Sequence, residues 1–259
     1  MSILSTVKKP NDRPVFVTIF GDPGLGKTTL ACSFPNPIVI RAEDGLQAIP
    51  ADHRPDAFPM ITDVGDLWMQ LKGLLTEEHN YKTLIIDSVS ALERLFIQDV
   101  VDSDPKKPRG IQQALGGYGS GRDAVTAMHA RVRKAAGLLS ERKGMHIVFL
   151  AHVENEQIVP PDDETYTRYN LGMHAKGRAA YVDDVDLVGF LKLETFTTGT
   201  GERKKAISDG TRVLITHAMA SCVSKNRYGI TEPLTVLPNV NPLVEFVPAL
   251  AVTKKEKVK

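Results

Sequence analysis

Nine residues, Gly21 to Thr29, constrain this chain more than any others. They read GDPGLGKTT and hold the complete pattern G-x-x-x-x-G-K-[ST], with Gly21, Gly26, Lys27 and Thr28 in the defining places. The preceding run VFVTIF, from Val15 to Phe20, is rich in β-branched and aromatic residues and predicts a strand, and Thr28 to Cys32 suits a helix. Glycine at such a turn lets backbone N–H groups point inward at phosphate, and the helix that follows presents the positive end of its dipole. Asp22, Pro23, Gly24, Leu25 and Thr29 complete the cradle. Lys27 is expected to reach the β and γ phosphates, and Thr28 to place its hydroxyl on Mg²⁺, a hard cation that prefers oxygen. A glycine turn with a chance lysine is the competing reading, and the strand and helix on either side weigh against it.

The second landmark is TLIID, Thr83 to Asp87, an apolar run closed by a carboxylate, as expected of a central parallel strand covered on both faces. Asp87 at the carboxyl end of that strand is placed to hold the Mg²⁺ water shell beside the phosphate loop, with helix capping as the alternative role. Hydrolysis also needs a group to orient water. Glu43, just past the apolar run Pro37 to Ile40, lies where a neighbouring strand can project it toward the γ phosphate, and by spacing alone Asp44 competes with it.

The remaining pattern alternates strands and helices. Met60 to Thr62 reads as a short strand, Asp66 to Leu75 as a helix, and Val89, Leu92, Phe96 and Val100 recur at helical spacing. Regularity then collapses in SDPKKPRGIQQALGGYGSGR, residues 103–122, which reads as a loop. A helix is expected from about Asp123 to Arg142, then a buried strand from Met145 to Ala151 ending at His152. Val153 to Ala180, with Pro160 and Pro161, reads as a second long loop, and Val182 to Leu193, Arg212 to Thr216 and Leu234 to Leu237 as further strands. Alternation of this kind predicts an α/β fold, a mainly parallel central sheet flanked by helices on both faces. The expected division is a tail over 1–13, one domain over 14–250 and a basic tail over 251–259, whose last seven residues carry four Lys and one Glu.

Composition removes other classes. The 259 residues are 42% hydrophobic and 24% charged, an ordinary globular mix that excludes disorder throughout. With 32 Lys and Arg against 31 Asp and Glu, attraction to nucleic acid must come from local patches. Two distant cysteines, Cys32 and Cys222, argue against a disulfide framework or zinc site and fit a reducing compartment, and the seven His residues show no close metal-binding pair. No apolar run approaches the roughly 20 residues that span a bilayer, so a soluble cytoplasmic protein with no membrane partner is expected.

Taken together, GDPGLGKTT, a Glu soon after the second strand, LIIDSVSALE, and a long helix leading to HIVFLAHVENE resemble the RecA-type P-loop ATPase core over roughly Val15 to Glu245. The resemblance implies ATP and Mg²⁺ as ligands, Glu43 as the residue acting on the lytic water, and His152, which stands where RecA has Gln, as the group that senses the γ phosphate. KNRYG, Lys225 to Gly229, is similar to the KNRFG motif of RadA proteins, which implies that Lys225 and Arg227 reach ATP held by an adjacent subunit of a homo-oligomer. Size and the absence of accessory modules look most like phage RecA-like ATPases of the Sak type. That family implies single-stranded DNA as a partner in annealing or recombination, with a single-strand-binding protein as a further partner.

The resemblance places two DNA-facing loops at 103–122 and 153–180. The first holds Lys106, Lys107, Arg109 and Arg122 against one acid, Asp104, with glycines around Tyr118. The second holds five acids and three bases, Arg168, Lys176 and Arg178, with Tyr166 and Tyr169 as candidates for base stacking. Solvated loops that contact nothing are the alternative. Two other functions share these motifs: a helicase-like or loader motor, and an assembly module gated by nucleotide without obligatory turnover.

Overall fold

The computed structural model describes residue 7 and residues 13–198 and 205–251. The tails expected over 1–13 and 251–259 lie almost wholly outside the described residues. The elements are β1 (Phe16–Gly21), α1 (Lys27–Cys32), β2 (Pro37–Arg41), β3 (Asp56–Ala57), α2 (Val64–Thr76), β4 (Thr83–Asp87), α3 (Val89–Ser103), α4 (Ser120–Lys143), β5 (His146–Ile158), β6 (Tyr166–Leu171), α5 (Ala175–Val182), β7 (Leu187–Leu193), β8 (Phe196–Thr198), β9 (Lys205–Ile207), β10 (Arg212–Ile215), β11 (Lys225–Asn226) and β12 (Leu234–Thr235).

The main sheet runs β12-β10-β7-β1-β5-β4-β2-β3, with β11 on β7 and β6 on β5. From β7 to β3 every neighbour is parallel, and β10, β11 and β12 join antiparallel. This is the expected α/β architecture, a mainly parallel central sheet with helices on both faces. In register, β5 lies between the phosphate-loop strand and the Asp87 strand, with Gly21 opposite His152 and Asp87 opposite Leu150. The carboxyl ends of β2, β4, β5, β1 and β7 therefore meet along one edge.

Both faces of the central strands are buried, which is why their sequence shows no alternation. Phe16, Phe20, Leu84, Ile86, Ile147 and Phe149 pack under α2, α3, α4 and α5 through Leu67, Leu92, Phe96, Val132 and Tyr181. Val17, Ile19, Ile85, Val148 and Leu150 face the other way, against Leu30 and Ala31 of α1 and the irregular segment that supplies Leu243, Val247 and Leu250. The second face thus has α1 and an irregular strap where the first has four helices. The side chain of Asp63 caps α2 by accepting from Asp66 N, and that of Ser88 caps α3 by accepting from Ala91 N.

Several local expectations are corrected. Met60 to Thr62 forms no strand; the edge strand is Asp56–Ala57. The strand expected to stop at His152 continues to Ile158 and turns into β6, so Val153 to Ala180 is a hairpin plus α5 rather than a loop. The pairing is carried by backbone bonds and polar pairs such as Glu156 opposite Arg168, which apolar periodicity cannot reveal. β7 starts at Leu187, not Val182, because α5 runs through Val182. Part of 103–122 is ordered as well: a short 3-10 turn spans Ala114–Gly116 and α4 starts at Ser120. Among the described residues no helix is long and apolar enough to cross a membrane.

Candidate active site

The phosphate loop leaves β1 at Gly21, a position that tolerates no side chain: a Cβ there would lie 2.2 Å from the Leu191 carbonyl oxygen of β7. Gly24 and Gly26 take the left-handed backbone that glycine alone adopts freely, with φ of 80° and 87°. Gly26 is also the N-cap of α1 and provides no side-chain cap, so the first N–H groups of the helix open toward the loop. The Lys27 ammonium is buried and donates to the carbonyl oxygens of Gly21 and Asp22, each at 2.9 Å. Burial lowers its pKa, against the attraction of Asp87, Glu43 and Asp22.

Thr28 and Asp87 meet. The Thr28 hydroxyl donates to Asp87 Oδ2 at 2.8 Å, and Gly45 closes over both oxygens, its absent Cβ 3.5 and 3.6 Å from them. Asp87 is not a helix cap, since Ser88 fills that place. Desolvation raises the Asp87 pKa, partly offset by the Thr28 hydrogen bond. Two adjoining oxygen donors, one a buried carboxylate whose charge lacks full compensation, fit a hard divalent cation such as Mg²⁺.

Glu43 stands just beyond β2, where the N–H groups of Ala42 and Glu43 both donate to the Asp87 carbonyl, at 2.7 and 3.2 Å, and tie this turn to the end of β4. Its carboxylate accepts from Ser88 Oγ at 2.7 Å and from Arg94 at 3.1 Å. His152 Nε2 lies 2.8 and 2.9 Å from the two carboxylate oxygens, which assigns the proton to that nitrogen. The His152 hydrogen bond, with help from Ser88, holds the Glu43 pKa down at about 2 despite partial burial. Asp44, the competitor by spacing, is half-exposed and lies 3.7 Å from Arg41.

The other expected residues are dispersed. Lys225 and Arg227 sit at the opposite end of the sheet, where Lys225 pairs with Val188 near the start of β7. Lys225 donates to the Val182 and Asp183 carbonyls, and Arg227 donates to buried Asp186 at 3.1 Å, so neither joins Lys27 and Glu43 within one chain. Lys106, Lys107 and Arg109 are exposed, as is Tyr118. Arg122 is part-buried with its guanidinium 3.5 Å from Glu93. Arg168 makes two 3.1 Å bonds to Glu156, Arg178 pairs with Glu154 and Glu156, and Lys176 pairs with Asp123 at 2.6 Å. Tyr169 stacks on Phe190 with ring centroids 4.8 Å apart, and both Tyr166 and Tyr169 are exposed.

Sequence reasoning passed over Ser88, Ser90 and Arg94. Ser90 Oγ accepts from the His152 backbone N–H at 3.0 Å, so one face of α3 fixes both His152 and, through Arg94, Glu43. The cap position of Ser88 was the available signal, because a Ser directly before an apolar helical run is an N-cap candidate. Arg212 was passed over too. Its guanidinium reaches the phosphate loop from β10, 3.4 Å from the Leu25 carbonyl, and nothing in local sequence marks it.

A family model described as an AAA domain matches residues 13–228. No curated protein matches the chain. Among solved structures, the crystal structure of the RadB recombinase is similar at 11% identity, covering 88% of this chain and 90% of that one, with a TM-score of 0.49.

Proposed function

The chain belongs to the AAA domain family, and we propose that it binds ATP with Mg²⁺ and hydrolyses it at the loop between β1 and α1. The observation that carries this reading is the 2.8 Å contact between Thr28 and buried Asp87, beside the ammonium of Lys27. In this reading the loop N–H groups and Lys27 bind the β and γ phosphates, and Thr28 and Asp87 hold the cation. Bound Mg²⁺ supplies a Lewis acid for phosphoryl oxygens.

Glu43 orients the attacking water by accepting its hydrogen bond. A carboxylate that titrates at about 2 is a weak base, so full proton transfer requires His152 and Arg94 to loosen their hold on it. His152, on the strand between Asp87 and the loop, is the group whose partner changes when a γ phosphate arrives. Lys225 and Arg227, far from their own loop, act on the nucleotide of a neighbouring copy, where a cation stabilises charge on the transferring phosphoryl group.

The finer reading is a cytoplasmic, Sak-type protein that assembles on single-stranded DNA and promotes annealing or recombination alongside a single-strand-binding protein. Its support is the exposed basic set Lys106, Lys107 and Arg109 with the exposed ring of Tyr118, a combination of cations and aromatic surface that suits a single strand. Arg168, Lys176 and Arg178 enter this reading only by exchanging their carboxylate partners for phosphate. ATP turnover measured with and without an oligonucleotide tests it. Stimulation that fades as salt rises is expected, and equal rates at all salt concentrations contradict DNA coupling.

A further inference from the structure

Arg212 opens β10 and pairs with Leu193, two residues beyond Leu191, the partner of Gly21. Its side chain leans over the phosphate loop so closely that a Cβ on Gly26 would lie 2.6 Å from the Arg212 Nη1. That nitrogen donates to the Leu25 carbonyl at 3.4 Å, a long bond that occupies one of five guanidinium donors. The residue is part-buried, and among the described residues Arg212 is in none of the ion pairs, whereas Arg122, Arg168 and Arg178 at the same end of the molecule are all paired. A part-buried cation resting on an anion-binding loop is completed by an anion.

The order of strands says which part of the anion. Asp87 ends β4, Glu43 follows β2 and His152 lies in β5, all on one side of β1, and this side takes the metal and the γ phosphate in the reading proposed above. β7 and β10 lie on the other side of β1. A nucleotide whose terminal phosphate faces Asp87 and Glu43 has its nucleoside end on the β10 side. We propose that Arg212 is a nucleotide-binding residue that contacts the α phosphate, which lies at that end of the chain. The inference rests on the proposed ATP site and extends it to a residue no motif marks.

Calorimetric titration of wild type, R212A and R212K with ATP, ADP and pyrophosphate, each with Mg²⁺, tests it. Loss of a charge-assisted hydrogen bond should weaken ATP and ADP alike by about ten- to a hundredfold in R212A, with R212K between the two. Pyrophosphate, which has no α phosphate and fills the β and γ positions, should bind R212A as it binds wild type. Equal weakening of pyrophosphate would show that Arg212 merely props the loop through Leu25 and would overturn the proposal, as would unchanged ATP and ADP affinity. If R212A does not fold, R212Q provides the same comparison. A wild type that binds none of the three removes the ATP site itself, and is thereby distinguished from a wild type that binds while R212A binds equally well.

Discussion

Asp87 and Glu43 are neighbouring carboxylates pushed in opposite directions. Desolvation raises the pKa of Asp87, so its ionised form destabilises the fold and stability falls as pH rises above the ordinary Asp range. Asp87→Asn should therefore melt higher than wild type at pH 7 without nucleotide, and lose any stabilisation by Mg²⁺ and ATP. A lower melting temperature for D87N would show that the Thr28 contact outweighs burial. Glu43 has the reverse sign: His152 and Ser88 depress its pKa to about 2, so its contribution is complete above the ordinary carboxylate range and is lost as pH falls toward 2. The unfolding free energy from urea titration should change between pH 3 and pH 7 by on the order of 1–2 kcal/mol more in wild type than in Glu43→Gln. Matching differences would mean that the His152 contact adds nothing to the fold. The types of residue at this site were legible because phosphate and Mg²⁺ demand glycine, lysine, hydroxyl and carboxylate at fixed places. Arg94, Ser90 and Arg212 were not, since their roles arise from helix and strand packing that brings together residues far apart in sequence.

At the scale of elements, the central strands were legible because burial on both faces writes a continuous apolar run, as in TLIID. The β5–β6 hairpin was hidden for the opposite reason. Beyond Ala151 its residues are part-exposed or exposed for most of its length, and Glu156 opposite Arg168 leaves a polar, uneven text that reads as loop. The short strand Asp56–Ala57 is exposed and two residues long, too brief for any periodicity, whereas apolar Met60 to Thr62 attracted the assignment. The contact of β1 with β7 gives a sharper prediction than propensity does. Gly21→Ala puts a Cβ 2.2 Å from a backbone oxygen in the middle of the sheet, so it should cost more than about 3 kcal/mol or leave the protein insoluble. A soluble G21A variant with the wild-type urea midpoint would mean that β7 gives way more readily than a central strand should.

For the whole molecule, one edge of the sheet collects Lys27, Thr28, Glu43, Asp87 and His152, while Lys225 and Arg227 stand at the other end. In the proposed function these two cations serve the phosphates of a neighbouring copy. Arg227→Ala and Glu43→Gln proteins, each impaired alone, should recover part of the wild-type turnover when mixed, because the first keeps an intact loop site and the second an intact Arg227. No recovery on mixing would restrict Arg227 to its contact with Asp186. All of this depends on Glu43 and Thr28–Asp87 forming a single hydrolytic site. The most direct measurement is phosphate release from ATP by wild type and Glu43→Gln in the presence of Mg²⁺, with ATP affinity measured on the same samples. Steady release by wild type and a fall of at least about a hundredfold in E43Q with ATP still bound are expected; release by E43Q at the wild-type rate, or none from wild type, would contradict a hydrolytic site built on Glu43.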